Sequence, residues 1–521
     1  MVRRVFLRSP RLRTTGLTVL LSCAAACLIF TTAAQNPAAT GVDSIRADEL
    51  RQKLTYIASE KFKGRGNGTP ELNMAADYIA GVFQKNGIKP AAGSGQYYQF
   101  FNMYSSRLGP DNDVRIVSNG NELKLTPRTD FIPEFWSASG NVTGSMTLVD
   151  RASTIPDLTG KIAVVVEGEG STDDPEFPQN AALGRTVQNA GAIGVIVVPD
   201  PMDRGQERIG ALAENFREDL PVRLTPMATV DNPDYPTIPV VLVSSDIGGK
   251  LMADLRNVQT SAQAAITTDV VRKTFRTQNV CGISEGRDPA VRADVMIVSA
   301  HYDHDGEAYS QIWYGADDDG SGVAALLELA EAFGNGAPRP ARSVLLCAWA
   351  GEEKGLLGSR YYVSHPLVPL NRTVAMFQMD MIGRNEEHAA DETEGVPEER
   401  AVENNNTLNV LGSAYSPDLK AIISPLNNET GLTIHFRYDF GAQDLLRRSD
   451  QWSFLAKSIP SVFFFTGLHP DYHTPRDTAA KINYPKLEKV AKLVYLSAFE
   501  IANAAARPKY SKPARAAQKA Y

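Results

Sequence analysis

Val295-Met-Ile-Val-Ser-Ala-His301-Tyr-Asp303-His304 is an apolar run that stops abruptly at an imidazole and a carboxylate. Apolar residues without alternation mark a strand buried on both faces. Polar groups at its carboxyl end then belong to the rim of a sheet, where open α/β folds bind ligands. Two later stretches repeat the pattern. Val344 to Ala348 leads through Trp349-Ala350-Gly351 to Glu352 and Glu353, and Val374 to Met379 leads into Asp380. Between the first and second runs, Gly315-Ala-Asp317-Asp318-Asp319-Gly320-Ser321-Gly322 opens a segment, Val323 to Phe333, with helical spacing. Long β/α alternation after Thr268 predicts an α/β fold, a sheet with helices on its faces.

The 521 residues are 43% hydrophobic and 22% charged, which excludes disordered and membrane-embedded classes and predicts more than one domain. A formal net charge of -7 argues against a nucleic-acid partner, whose phosphates call for a basic face. Arg3, Arg4, Arg8, Arg11 and Arg13, then the apolar Leu17 to Phe30, then Thr31-Thr-Ala-Ala-Gln35 predict a secretory signal over 1–34 and export to a periplasmic or extracellular space. The apolar run falls short of the ~20 residues a span requires, so no stable membrane span is expected after cleavage. A retained anchor and lipidation at Cys23 or Cys27 are the competing readings. Cys281 and Cys347 then remain, too few for a disulfide framework.

Residues 35–130 are expected to be the N-terminal part of the main domain, a helix pair with Leu50, Leu54 and Ile57 on one apolar face and Ile79, Val82 and Phe83 on another. The break between them, Gly64 to Pro70, lacks the Gly-Lys-Ser/Thr ending of a phosphate loop and reads as a plain loop. Residues 131–267 carry short β runs separated by Gly, Pro and Asp, with neither His nor Cys, and read as an inserted β-rich domain. Residues 268–506 hold the strand-end acids and finish in a helix starting at Pro485; 507–521 is a basic flexible tail. From Arg384 to Asn406 a run including Glu386, Glu387, Asp391, Glu392, Glu394, Glu398, Glu399 and Glu403 reads as a solvated loop, with substrate steering as the alternative.

Imidazole and carboxylate brought together from distant strand ends suit zinc-like divalent ions, and a carboxylate with its two oxygens can bridge a pair of them. H-x-D at His301 and Asp303, G-A-D-D-D-G-S-G at Gly315 to Gly322, W-A-G-E-E-K-G-L-L-G-S at Trp349 to Ser359, M-D-M-I-G at Met379 to Gly383 and Y-H-T-P-x-D-T at Tyr472 to Thr478 occur in order. With these motifs the chain, from Ile45 to Ala505, closely resembles the M28 family of co-catalytic zinc aminopeptidases, and the insert resembles a protease-associated (PA) domain. The resemblance implies a zinc-dependent exopeptidase fold with a mixed central sheet, two Zn2+ ions, and peptide substrates with a free N-terminus. Matched by motif, His301 and Asp380 hold one ion, Glu353 and His473 the other, and Asp318 bridges them. Asp317 is then a neighbour and Asp319 a turn residue. Asp303 orients His301, Glu352 is the general base, and the Tyr472 hydroxyl stabilises the oxyanion.

Gln451 departs from this pattern, standing where many relatives carry His. Related carboxypeptidases, glutaminyl cyclases and receptor-like relatives that have lost ligands remain alternatives. The complete ligand set weighs against the receptors, and the double Glu with a bridging Asp favours a two-metal hydrolase. His304, His365, His388, His435 and His469 read as surface or packing residues.

Overall fold

The computed structural model describes residues 41–149, 154–166, 179–199, 205–217, 220–230, 235–257, 262–389, 398–441 and 444–513. The signal read at 1–34, the acids Asp391, Glu392 and Glu394, and the end of the basic tail lie outside them.

Four strands, Val295–His301, Ser343–Trp349, Thr373–Met379 and Ser461–Phe465, are buried at every residue, which is why their sequences do not alternate. They run parallel in adjacent positions, with Ile297 opposite both Leu345 and Met376 and Phe377 opposite Val462. Their carboxyl ends therefore share one edge. Antiparallel strands flank this block: Val270–Ser284 and then Tyr98–Leu108 on one side, Thr407–Leu411 on the other. The result is an α/β fold around a mixed sheet. Met296, Val298 and Ala300 pack into one layer with the helices Ala47–Ile57, Pro70–Lys85, Gly320–Ala332 and Tyr484–Asn503, while Val295 and Ile297 face Tyr362, Val363 and Phe454 across the sheet.

The helices begin where their sequences prescribe. Thr69 caps Pro70–Lys85, and Asn483 caps Tyr484–Asn503 just before Pro485, each side chain accepting from a first-turn N–H. No helix among the described residues is long and apolar enough to cross a membrane.

One pairing goes beyond the sequence reading, and one reading needs correction. Cys281 and Cys347, directly opposite on neighbouring antiparallel strands, are joined as a disulfide. Sequence spacing does not show such a pair, because the register brings together residues 66 apart. The acidic stretch after Arg384 is not merely solvated. Glu386 is 2% exposed and accepts from Arg437 Nη2 (2.6 Å), Tyr438 Oη (2.9 Å) and Asn409 Nδ2 (2.9 Å), and Arg437 Nη1 also reaches Glu399 at 2.7 Å.

The second sheet has the order Asn121–Leu125, Asp113–Ser118, Ala262–Thr268, Gly140–Val149, Ile162–Val166, Gly194–Val198, Val240–Val243 and Phe131–Pro133. It thus draws in the hairpin Asp113–Leu125, which lies ahead of the boundary expected at 131. That hairpin is half exposed and rich in charge, so it carries no long apolar run. The segment also returns to the first sheet: Ala228–Thr229 pairs with Tyr104 and Met103 at its edge.

Candidate metal centre

Each parallel strand delivers its polar group at or just beyond its carboxyl end. His301 is the last residue of its strand, Asp380 follows Thr373–Met379, and His473 lies in the loop beyond Ser461–Phe465. Glu352–Lys354 form a single 3-10 turn after Ser343–Trp349. Gly351 (φ 74°) and Gly355 (φ 98°) bracket that turn in the left-handed region, where a side chain is strained.

Asp318 stands at the centre. Its Oδ1 lies 3.1 Å from His301 Nε2 and its Oδ2 lies 3.0 Å from His473 Nε2. Asp380 Oδ1 is 3.5 Å from the same His301 nitrogen, and Glu353 Oε2 is 3.2 Å from the same His473 nitrogen. Glu352 Oε2 stands slightly back, 3.9 Å from His301 Nε2. Tyr472 packs its ring 4.0 Å from that of His473. With Glu352 and Asp380 it lines a cavity of about 100 Å³, whose other walls include Met381, Leu445, Phe463, Phe465 and Leu468.

This cluster fits divalent cations. Donor atoms of His301, Asp318 and Glu353 all lie within 4.8 Å of one another, as do those of His301, Asp319 and Asp380. His301 Nε2 is buried with no hydrogen-bond partner among the described residues. Burial opposes charge on His301, yet the carboxylates of Glu352 and Asp380 hold its pKa well above the usual value. Burial likewise opposes charge on Asp318, yet His301 and His473 hold its carboxyl well below the usual range. Burial and the surrounding carboxylates push the Tyr472 hydroxyl well up, so it remains a hydrogen-bond donor. Buried anions packed so closely require a positive charge between them.

The neighbouring acids are structural supports. Asp319 caps Gly320–Ala332, accepting from Gly322 N at 2.8 Å, and also receives His301 N (3.1 Å) and Met381 N (3.3 Å). Asp317 accepts from Gly383 N at 2.7 Å. Asp477, the acid of the Y-H-T-P-x-D-T stretch, receives the N–H groups of Asp317 (2.9 Å) and Asp318 (3.1 Å) and so aims the acidic loop. Burial and Asp317 push its pKa up to about 6.

Asp303 departs from expectation. Its carboxylate is 3.9 Å from His301 Nδ1, and it is the Asp303 carbonyl that meets this nitrogen, at 3.2 Å. The carboxylate instead accepts from Glu352 N (3.1 Å), Glu353 N (3.3 Å) and Asn67 Nδ2 (2.7 Å). The chain curls back after the strand end, which turns the Asp303 side chain across to the double-glutamate turn of the next strand.

Three residues escaped the sequence reading. His304 is buried, with Nδ1 2.6 Å from Glu353 Oε1; its place beside the strand-end acid was the available signal. Arg65 and Asn67 come from the break read as a plain loop. The Arg65 guanidinium is buried and donates to the carbonyls of Tyr302 (2.9 Å), Ile57 (3.1 Å), Tyr314 (2.8 Å) and Gly315 (2.8 Å), tying the His301 and acidic loops to the first helix. Arg65→Met leaves those carbonyls unpaired in the interior. We expect a loss of ~3–5 kcal/mol in stability, read as a lower urea midpoint.

Fold and donor set together give an α/β domain whose sheet edge carries a candidate metal centre. Residues 279–498 match the model of peptidase family M28, and residues 124–251 match that of the PA domain. An aminopeptidase of Pseudomonas aeruginosa is 28% identical over 351 residues, which are 64% of this chain and 56% of that protein. The aminopeptidase YwaD of Bacillus subtilis is 29% identical over 241 residues, 44% of this chain and 46% of that one. The chain thus spans about half the length of these curated relatives. Among solved structures, an aminopeptidase from Aneurinibacillus sp. strain AM-1 aligns over 92% of this chain and 97% of its own, at 20% identity and a TM-score of 0.48.

Proposed function

We propose that this chain is an exported zinc aminopeptidase with a two-ion centre. The observation that carries the reading is the bidirectional Asp318 carboxylate, with one oxygen facing His301 and Asp380 and the other facing His473 and Glu353. His301 and Asp380 would hold one ion, His473 and Glu353 the other, and Asp318 both. When bound, the pair of ions supplies Lewis acidity that lowers the pKa of a shared water and polarises the scissile carbonyl. Glu352 accepts the proton of the attacking water and passes it to the leaving amine. The Tyr472 hydroxyl donates to the developing oxyanion.

Residues 113–267, the expected insert together with the hairpin that joins its sheet, act as a PA domain inserted into the peptidase domain formed by 35–112 and 268–506. Export is supported by the basic and apolar leader and by the Cys281–Cys347 disulfide, a bond that persists in oxidising compartments. The test is hydrolysis of an aminoacyl reporter and its N-acetylated twin, with and without a chelator. We expect cleavage of the free-amine substrate alone, lost on chelation and restored by Zn2+. Equal cleavage of the acetylated peptide overturns the assignment.

A further inference from the structure

We propose that Arg223, carried by the inserted segment, is a positioning residue for the His473 and Glu353 half of the metal centre. The proposal rests on the two-ion reading above. Arg223 lies in the short turn Val222–Leu224, between Pro221 and the strand Ala228–Thr229 that joins the edge of the main sheet. From there it makes three contacts. Its Nε donates to Asp305 Oδ2 at 2.8 Å, its guanidinium lies over the Trp313 ring at 5.2 Å, and its carbonyl accepts from Lys354 Nζ at 2.7 Å.

All three contacts lead to the same half of the centre. The Asp305 oxygen gripped by Arg223 is also 3.7 Å from His473 Nδ1, the ring nitrogen turned away from Asp318 and Glu353. A ligating imidazole is oriented by what its second nitrogen faces, and a buried carboxylate is a common partner. Trp313 Nε1 donates to the His473 carbonyl at 3.1 Å. His473 needs such support, since its φ of 52° lies in a region disfavoured for any residue but glycine. Lys354 directly follows Glu353, so its bond to Arg223 fastens the double-glutamate turn.

The other half of the centre is held differently. His301 is supported by Asp303 and Asp319, and Asp380 accepts from Ser449 Oγ at 2.6 Å. These supports of His301 and Asp380 all come from outside the inserted segment. Arg223 also cannot be exchanged freely for Lys, because its planar fork grips a carboxylate while stacking on an indole. Loss of Arg223 should therefore weaken one ion and spare the other.

The experiment titrates Zn2+ into metal-free full-length protein against a chromophoric chelator, with thermal melting of the same samples. Wild type is expected to bind two ions. Arg223→Ala should keep one at wild-type affinity and bind the other about 10–100-fold more weakly, the range for a lost partner behind a ligand. Asp305→Asn should act on the same ion, and the double variant should add little, since both changes break one chain of contacts. Arg223→Lys should recover part of the loss. Unchanged affinities in Arg223→Ala, equal weakening of both ions, or additive effects with Asp305→Asn each overturn the proposal. Should Arg223→Ala fail to fold, Arg223→Gln reads the same affinities. Fewer than two ions in the wild type would instead overturn the two-ion reading on which the proposal stands.

Discussion

Glu352→Ala is expected to keep its bound zinc and lose turnover by about 10² to 10⁴-fold, the usual contribution of a general base. The structure separates the two neighbouring glutamates. Glu353 lies 3.2 Å from His473 Nε2 and within the close donor group around Asp318, whereas the Glu352 carboxylate stands 3.9 Å from the nearest ring nitrogen, beside the cavity. The turn itself survives truncation, because Glu352 contributes to it through its N–H, which Asp303 Oδ1 accepts at 3.1 Å. Gly351 and Gly355 fix the backbone on either side. Glu352→Gln keeps the shape of the side chain and should lose turnover as fully, since an amide cannot take the proton. Steady-state kinetics with elemental analysis of the dialysed protein decides the matter. Near-wild-type activity, or loss of metal together with activity, would remove Glu352 from this role.

The parts of the molecule readable in its sequence are those where local pattern and burial coincide. Val295–His301 and Thr373–Met379 are apolar throughout because helices cover both faces of the sheet, so their ends announced where polar groups must gather. The hairpin Asp113–Leu125 offered only a short alternation, yet its turn residues Asn119 (φ 51°) and Gly120 (φ 79°) form the Asn-Gly pair that favours tight hairpins. Other features leave no local trace. Arg65 is buried because carbonyls from three separate segments converge on it, and Glu386 because Arg437, 51 residues further on, folds back over it. Arg223 belongs to the same class, since nothing in its own neighbourhood of sequence points to Asp305. Residue types and strand ends foretell which donors meet. The supports that aim them are tertiary, and only the folded chain reveals that Asp303 serves the glutamate turn more than His301.

The three consecutive acids Asp317, Asp318 and Asp319 allow the second large effect to be separated from mere loss of structure. Asp318→Asn should lower zinc affinity by more than ~100-fold and abolish hydrolysis, because it removes charge from the one group that faces both halves of the centre, whereas losing a partner behind a ligand costs only ~10–100-fold. An asparagine offers one oxygen, and its NH2 group would be directed at the other cation. The fold should tolerate the change: the Asp318 backbone is held by Asp477, and its side chain makes its close contacts with the two imidazoles. Asp319→Asn provides the contrast. Its carboxylate caps Gly320–Ala332 and receives the N–H groups of His301 and Met381, so this variant should lose ~1–2 kcal/mol of stability while retaining most of its metal. Zinc per chain after dialysis, measured beside the thermal midpoint, distinguishes the two. A stable, zinc-replete Asp318→Asn beside a zinc-poor Asp319→Asn would move the bridge one residue along the chain. It would also undo the division of the centre into halves that share Asp318.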